Sequence, residues 1–399
     1  MVSAVLLAVL RVSPGLTILA PPKLTTETLV KRGRSSFRIF LLLASAALFL
    51  PGDPAVQAQS WTDSSGNHRW SKQQNWLSHQ TPANDGSANI VFASSSFTDS
   101  ILDADWNVNS IGFNSSATAF ISSGSQLTIQ GGGIIVSGSA SETFDNAIVL
   151  GAAQTWDAGN GGLNFRGSVN NSGFDLTIDG SASTAITGSL SGTGGLIKNG
   201  LGTLTLSGAN PISGSVTINA GTLFAAGDGS LGSVAGVSVN SGGTLSLGGT
   251  DPINRVNNTA TITLNGGALA GNNKTESFGA LNLRANSTIS LSSGGPSGTL
   301  TFSGGTRAGG TLTISGWSGT AGTSGTDDHV VFSSDPGSQF LQNITFSGFN
   351  AGALWLGNGE IVPVPEPGVA LLLVLGMAGL AMRSLKQMQA GVQAPQRAW

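Results

Sequence analysis

Residues 202–208 read Gly202-Thr203-Leu204-Thr205-Leu206-Ser207-Gly208. Nearly the same wording returns at Gly243-Thr244-Leu245-Ser246-Leu247-Gly248, Gly298-Thr299-Leu300-Thr301-Phe302-Ser303-Gly304 and Gly310-Thr311-Leu312-Thr313-Ile314-Ser315-Gly316. Each unit sets two large apolar residues at i and i+2, with Thr or Ser between them. In an extended chain this turns one face inward and the other to solvent. Gln126-Leu127-Thr128-Ile129-Gln130-Gly131 and Asp175-Leu176-Thr177-Ile178-Asp179-Gly180 obey the same rule; Gly221-Thr222-Leu223 and Gly267-Ala268-Leu269 are shorter versions. From Thr203 to Thr222 is 19 residues, to Thr244 another 22 and to Ala268 another 24. Self-similarity near 20 residues predicts an all-β solenoid, a β-helix with one rung per repeat. Equivalent Leu and Ile side chains then stack into one core, while Thr and Ser line the outside, where β-branching favours strand. The competing arrangement is a β-sandwich, which strands spaced ~8–12 residues apart also fit. Stacking demands the recurrence of nearly identical units, and a sandwich does not.

The composition agrees with this reading. Gly accounts for 59 of 399 residues, roughly twice average usage. It costs about 1 kcal/mol per helix position relative to Ala, so long helices are not expected, and its lack of a three-residue period excludes collagen. With no Cys, disulfide scaffolds, thiolate metal sites and thiol nucleophiles are excluded. Three His leave little for imidazole metal sites or catalytic triads. Residues 59–362 hold 8 Lys and Arg against 17 Asp and Glu, a net of −9. An acidic body without clustered cations argues against nucleic acid as a partner.

The ends are basic. Lys31, Arg32, Arg34 and Arg38 precede the weakly polar and apolar run Ile39 to Leu50, and Pro51 and Pro54 break it. Val56-Gln57-Ala58 then offers small residues at −3 and −1. This order predicts a signal peptide within residues 1–58, cut between Ala58 and Gln59 by signal peptidase after engagement of the export machinery. Residues 1–30 form either an unusually long leader or a stretch ahead of a true start near Leu29 or Val30. At the other end, residues 368–382 are uncharged and apolar, and Arg383 and Lys386 follow as a basic stop. Fifteen helical residues span about 22 Å, short of the ~30 Å hydrocarbon core. A transmembrane helix acting as a transient or processed inner-membrane anchor is expected there.

Two resemblances follow from these residues. Val364-Pro365-Glu366-Pro367-Gly368, the apolar helix 368–382 and the basic cluster together resemble the PEP-CTERM sorting signal over residues 363–386. That resemblance implies export in a Gram-negative bacterium that makes exopolysaccharide. It also implies recognition by an exosortase at or near Pro365, Glu366 and Pro367. Such signals usually stop soon after the basic residues, whereas residues 387–399 add a tail here, expected in the cytoplasm. In the middle, Gly192-Thr193-Gly194-Gly195-Leu196-Ile197-Lys198-Asn199-Gly200-Leu201-Gly202-Thr203-Leu204-Thr205-Leu206-Ser207-Gly208-Ala209-Asn210, continued through Ser213-Gly214-Ser215-Val216-Thr217-Ile218-Asn219-Ala220-Gly221-Thr222-Leu223, resembles the autotransporter-associated β-strand repeat. It implies a right-handed parallel β-helix of an exported surface protein. Where that family usually carries an aromatic, Ile212 stands here. Trp61, Trp70, Asn75-Trp76, Pro82 and Ala88-Asn89-Ile90-Val91-Phe92 resemble the cap region of such proteins. The expected layout is a leader and signal peptide at 1–58, an N-terminal cap at 59–110 and β-helix repeats at 111–362, ahead of the sorting signal. Residues 363–399 are too few for an outer-membrane barrel.

Residues that could carry chemistry are sparse. Asp327-Asp328-His329 could ligate Ca²⁺ or pair a carboxylate with an imidazole, although a solvated loop after Gly-Thr-Ser-Gly is the expected reading. Asp103 and Asp105 share a strand face if residues 101–108 are extended, and paired carboxylates could serve a β-helix lyase or glycoside hydrolase. His68 and His79 sit among Trp residues and read as cap packing or surface. Trp61, Trp70, Trp76 and Trp106 could stack on sugar rings if exposed, with burial in the cap the expected alternative. No catalytic, cofactor or metal site is assigned. The expectation is a non-enzymatic structural or adhesin-like surface or matrix protein linked to exopolysaccharide. The alternatives are a carboxylate-based β-helix enzyme and a carbohydrate-binding β-sandwich.

Overall fold

The structure is a computed structural model that describes residues 58–366, apart from 94, 95, 97, 228, 250–253 and 293–296. The leader, most of the signal peptide, Pro367, the expected helix 368–382, Arg383, Lys386 and the tail lie outside the described residues. No helix among the described residues is long and apolar enough to cross a membrane.

The alternating units form strands of two to ten residues that stack in parallel into a solenoid of about ten turns. One sheet runs from Gln59–Trp61 through Trp106–Phe113, Leu127–Val136, Leu176–Asp179 and Leu196–Lys198 to Gly305–Arg307. A second, of 12 strands, runs from Asp99–Leu102 through Thr203–Leu206, Gly221–Ala225 and Gly243–Leu247 to Ile344–Phe346. A third joins Glu276–Phe278, Thr299–Phe302 and His329–Phe332. Every strand pair in these sheets is parallel, which excludes the sandwich; the antiparallel strand pair is the C-terminal hairpin of Ala353–Trp355 with Ile361–Pro363.

The register follows the repeats read from the sequence. Thr203 pairs with Thr222, Thr222 with Thr244 and Thr244 with Ala268, and the column continues through Thr288, Thr313 and Thr345. One residue on, Leu204, Leu223, Leu245, Leu269, Ile289 and Ile314 stack inward and are fully buried. Burying each such side chain stabilises the fold by about 1.5–3 kcal/mol. Units of the same wording nevertheless fall on different sheets: residues 127–129 and 176–179 on the first, 299–302 on the third. Alternation dictates which side chains point inward but is silent about which wall of the solenoid they line.

The corners need backbone that only Gly adopts easily. Gly249 has φ +74°, and a Cβ there would lie 1.7 Å from the Ala226 carbonyl oxygen of the turn below. Both ends are closed, as a solenoid requires to keep its core from water. At the C-terminal end a short helix, Ser338–Leu341, drops Phe340 onto Phe332. The boundary expected at residue 110 falls inside the strand Trp106–Phe113, which belongs to the same sheet as its neighbours on both sides.

Candidate functional site

At the N-terminal end the aromatic residues pack on one another. Trp76 meets Trp61 edge-on at 5.0 Å and Trp70 at 5.4 Å, and Trp70 reaches Trp106 at 5.4 Å. All four are buried, so they seal the first rung and present no platform for sugar rings. The Trp76 indole N–H donates to the Trp70 carbonyl at 2.8 Å. His68 Nδ1 lies 2.8 Å from Asp63 Oδ2 and 3.0 Å from Asp99 Oδ1, bracing the loop that crosses the cap. His79 is exposed on the same loop system.

Asp103 and Asp105 do not share a strand face. The strand ends at Leu102 and the next begins at Trp106, so both carboxylates lie on the corner between two sheets. Asp103 accepts the Ser71 hydroxyl at 2.5 Å and the Ser71 N–H at 3.1 Å. Partial burial acts to raise its pKa, and these hydrogen bonds outweigh it to leave the group below the ordinary carboxylate value. Asp105 accepts the Gln126 N–H at 3.1 Å. Each holds a corner in place through these hydrogen bonds.

Asp327-Asp328-His329 is likewise not a solvated loop. Asp328 is buried and accepts the N–H groups of Ser292 at 3.1 Å and Gly298 at 2.5 Å. Asp327 accepts the Ser318 hydroxyl at 2.8 Å. His329 opens a strand, and its Nδ1 lies 2.9 Å from Oε1 of the buried Glu360. The three side chains thus serve three different contacts. Among the described residues no three His, Asp or Glu side chains converge as a metal site would require. Glu360 also accepts the Gly325 N–H at 2.9 Å and the Ser324 hydroxyl. It therefore ties the 318–326 loop to the terminal hairpin.

That hairpin leads into the sorting-motif residues. The Gly322 N–H donates to the Pro363 carbonyl at 2.9 Å, and a Cβ on Gly322 would meet the Pro365 ring at 2.7 Å. Pro365 is half-buried and Glu366 exposed. At the other end Ala58 is exposed, and Gln59 begins the first strand.

The sequence reading missed a set of charges inside the solenoid. Lys198 stands between Ile178 and Ile218 in an inward column, buried, with its ammonium donating to the carbonyls of Gly200 and Ala220. Desolvation lowers its pKa, partly offset by the Asp179 carboxylate. Glu142 and Glu276 open two strands of identical design, Glu142-Thr143-Phe144 and Glu276-Ser277-Phe278, with Glu and Phe both inward. Each carboxylate takes a backbone N–H from the turn below: Phe120 at 2.9 Å and Arg255 at 3.0 Å. Burial pushes the Glu142 pKa up to about 7 against the pull of the Phe120 N–H. Glu276 is raised as well, though Arg255, also fully buried, sits 3.5 Å away. The signal was present in the sequence. A charged residue at i or i+2 of an apolar residue in these short units is inward by the same alternation that buries Leu.

Outside, the solenoid shows columns of hydroxyls and amides. On the first sheet one column runs Thr155, Thr177, Ile197, Thr217, Ser238, Thr263, Asn282 and Thr306. Beside it, Asn219 Nδ2 donates to Asn199 Oδ1 at 2.7 Å, Asn240 to Asn219 at 2.7 Å and Asn265 to Asn240 at 2.9 Å.

Residues 196–223 match the family model of the passenger-associated transport repeat, an autotransporter-associated β-strand repeat. They span the strands Leu196–Lys198, Thr203–Leu206 and Val216–Ile218 and enter the next, so one match accounts for a full turn of the solenoid. Neither the curated proteins nor the solved structures give a match.

Proposed function

We propose that this chain is an exported, non-enzymatic surface protein, with a role as a stalk, adhesin-like module or matrix component. The observation that carries the reading is that the passenger repeat at 196–223 builds one turn of a continuous solenoid. Passenger repeats suggest a surface-exposed β-helical protein, and the turns on either side follow the same plan. The finer part of the proposal is the route. A signal peptide is removed at Ala58–Gln59, and the signal around Pro365, Glu366 and Pro367 is read by an exosortase. The chain is held at the inner membrane by residues 368–382 and the basic stop at Arg383 and Lys386 until that reading, and it then joins the exopolysaccharide outside. Two features support this. Among the described residues the first strand begins at Gln59, directly after the expected cut, so the cut removes none of the described strands. Glu366 is exposed just beyond the terminal hairpin, as access by a processing enzyme requires.

The test is the intact mass of the native protein in each fraction of cells that produce it. Loss of residues 1–58 with truncation near Pro365 or Pro367, in envelope or released material, is the expected result. A chain that keeps residues 368–399 in the inner membrane would overturn the sorting route.

A further inference from the structure

The first sheet carries an open groove of about 490 Å³ on its outer face. It forms because the ten-residue strand Leu127–Val136 is followed by two strands, Ile148–Leu150 on one half and Gln154–Asp157 on the other. The glycines at the break leave the floor low. Gly131, Gly132, Thr155, Asp157, Asp175 and Thr177 line it, with the exposed Ile135 on its rim.

Its charge is of one sign. Asp157 and Asp179 are register partners on adjacent turns, a like-charge pair that costs stability when nothing neutralises it. Asp175 immediately precedes the strand Leu176–Asp179, four residues from Asp179. Each of the three carboxylates uses Oδ1 for a backbone N–H, of Gly159, Gly180 and Gly195 respectively, each at 2.8 Å. Their Oδ2 atoms make no hydrogen bond to the described residues. The nearby cation, Lys198, is turned into the core, where its ammonium donates to carbonyls and acts on Asp179 through space without a hydrogen bond to it. Neither Lys nor Arg lines the groove.

The groove also continues as a rail. Asp179 and Asn199 each follow the paired residues Ile178 and Lys198, so the column Asp157, Asp179, Asn199 runs on through Asn219, Asn240 and Asn265. Adjacent members are one strand spacing, about 4.8 Å, apart. Within the ladder each inner amide uses one N–H and its oxygen, which leaves one further donor on each Nδ2.

We propose that this groove and rail bind a linear polysaccharide carrying protonated amino groups, a glucosamine-type polymer, with its ammonium groups at the stacked pair Asp157 and Asp179 and its hydroxyls along the Asn column. The strand spacing is close to the length of one pyranose unit, so successive sugars meet equivalent side chains. An extended cationic peptide is disfavoured because the strands lining the groove are already paired on both edges, which leaves no backbone edge for strand addition. An anionic polymer is repelled by Asp157, Asp175 and Asp179, with neither Lys nor Arg in the lining to offset them. The inference builds on the proposed surface role for access to such a polymer, but binding in solution tests it independently of where the protein resides.

The experiment uses the mature chain from Gln59 and titrates glucosamine hexamer, N-acetylglucosamine hexamer, a mannuronate oligomer and hexalysine. Gly131 has ordinary backbone geometry, and a Cβ there meets nothing closer than 3.8 Å, so Gly131→Trp fills the groove without disturbing the turn. The expected result is binding of glucosamine hexamer that weakens at least tenfold in Gly131→Trp and in Asp157→Asn/Asp179→Asn. Affinity should also fall as salt rises, with no binding of the mannuronate. Circular dichroism and melting of each variant confirm the fold. Equal binding by folded variants, a preference for the acetylated or anionic oligomer, or equal affinity for hexalysine would overturn the proposal. Failure here with correct export would leave the surface reading intact; binding by a chain retained in the inner membrane would do the reverse.

Discussion

Glu142 offers the most quantitative test of the buried-charge design. It is fully buried, and its folded-state pKa stands at about 7 against an ordinary value of 4.5. Desolvation is the main cause, opposed by the Phe120 N–H. A carboxyl raised in the folded state binds its proton more tightly there than in the unfolded chain. Its contribution is therefore fully favourable below pH 4.5. Between pH 4.5 and about 7 only the unfolded chain ionises, and stability falls by about 1.4 kcal/mol per pH unit, about 3 kcal/mol in all, before levelling off above pH 7. Glu142→Gln keeps an oxygen for the Phe120 N–H and abolishes the titration. Relative to wild type, the variant should gain about 3 kcal/mol at pH 8 and under about 1 kcal/mol at pH 5. For a chain of this size, about 3 kcal/mol corresponds to a Tm difference of roughly 4 °C at pH 8. Paired thermal melts of the mature protein at the two pH values measure it. The same offset at pH 5 and pH 8 would refute the reasoning, because it would mean that Glu142 titrates alike in folded and unfolded chains.

Three further outcomes follow from the same packing. Leu245→Ala removes a fully buried side chain from the inward Leu column and should cost about 2–5 kcal/mol in denaturant titration, whereas the outward Ser246→Ala should stay within about 0.5 kcal/mol. Arg255→Met leaves Glu276 buried beside a lost counter-ion and should cost about 3–5 kcal/mol, and adding Glu276→Gln should recover much of that in a double-mutant cycle. Burial works to raise the Glu360 pKa, but hydrogen bonds from Ser324, His329 and Gly325 hold it below its usual value. Its stabilisation is thus fully present above pH 4.5 and lost as pH falls through the lowered pKa, so Glu360→Gln should speed exchange of the Gly325 amide at pH 6 and change little under strong acid.

The repeats made the fold legible because a solenoid reuses one local solution. Gly-Thr-Leu units 19 to 24 residues apart predicted which Thr stands over which, and the register Thr203–Thr222–Thr244–Ala268 is the one observed. The N-terminal Trp cluster was legible as a cap for the same reason, since its aromatic residues fall where no repeat exists to cover the first rung. The C-terminal cap was not. Its helix is only four residues, Ser338–Leu341, and its closure depends on Glu360 reaching Ser324, Gly325 and His329 across more than 30 residues, which no local pattern announces. Asp103 and Asp105 misled because strict alternation was extended across a corner. The chain turns between Leu102 and Trp106, and both carboxylates became turn acceptors. Lys198, Glu142 and Glu276 were hidden by the habit of reading charge as surface, although each obeys the alternation that buries its neighbours.

The absence of Cys from the chain permits one direct measurement of both fold and location. Asn265 is exposed at the end of the amide ladder, and Leu264 beside it is fully buried. Asn265→Cys and Leu264→Cys proteins are treated, in intact cells, with a maleimide that cannot cross membranes. A surface solenoid predicts labelling of Asn265→Cys in intact cells and of Leu264→Cys only after unfolding. Equal labelling of both would contradict the inward–outward alternation, and labelling of Asn265→Cys only after lysis would contradict surface exposure.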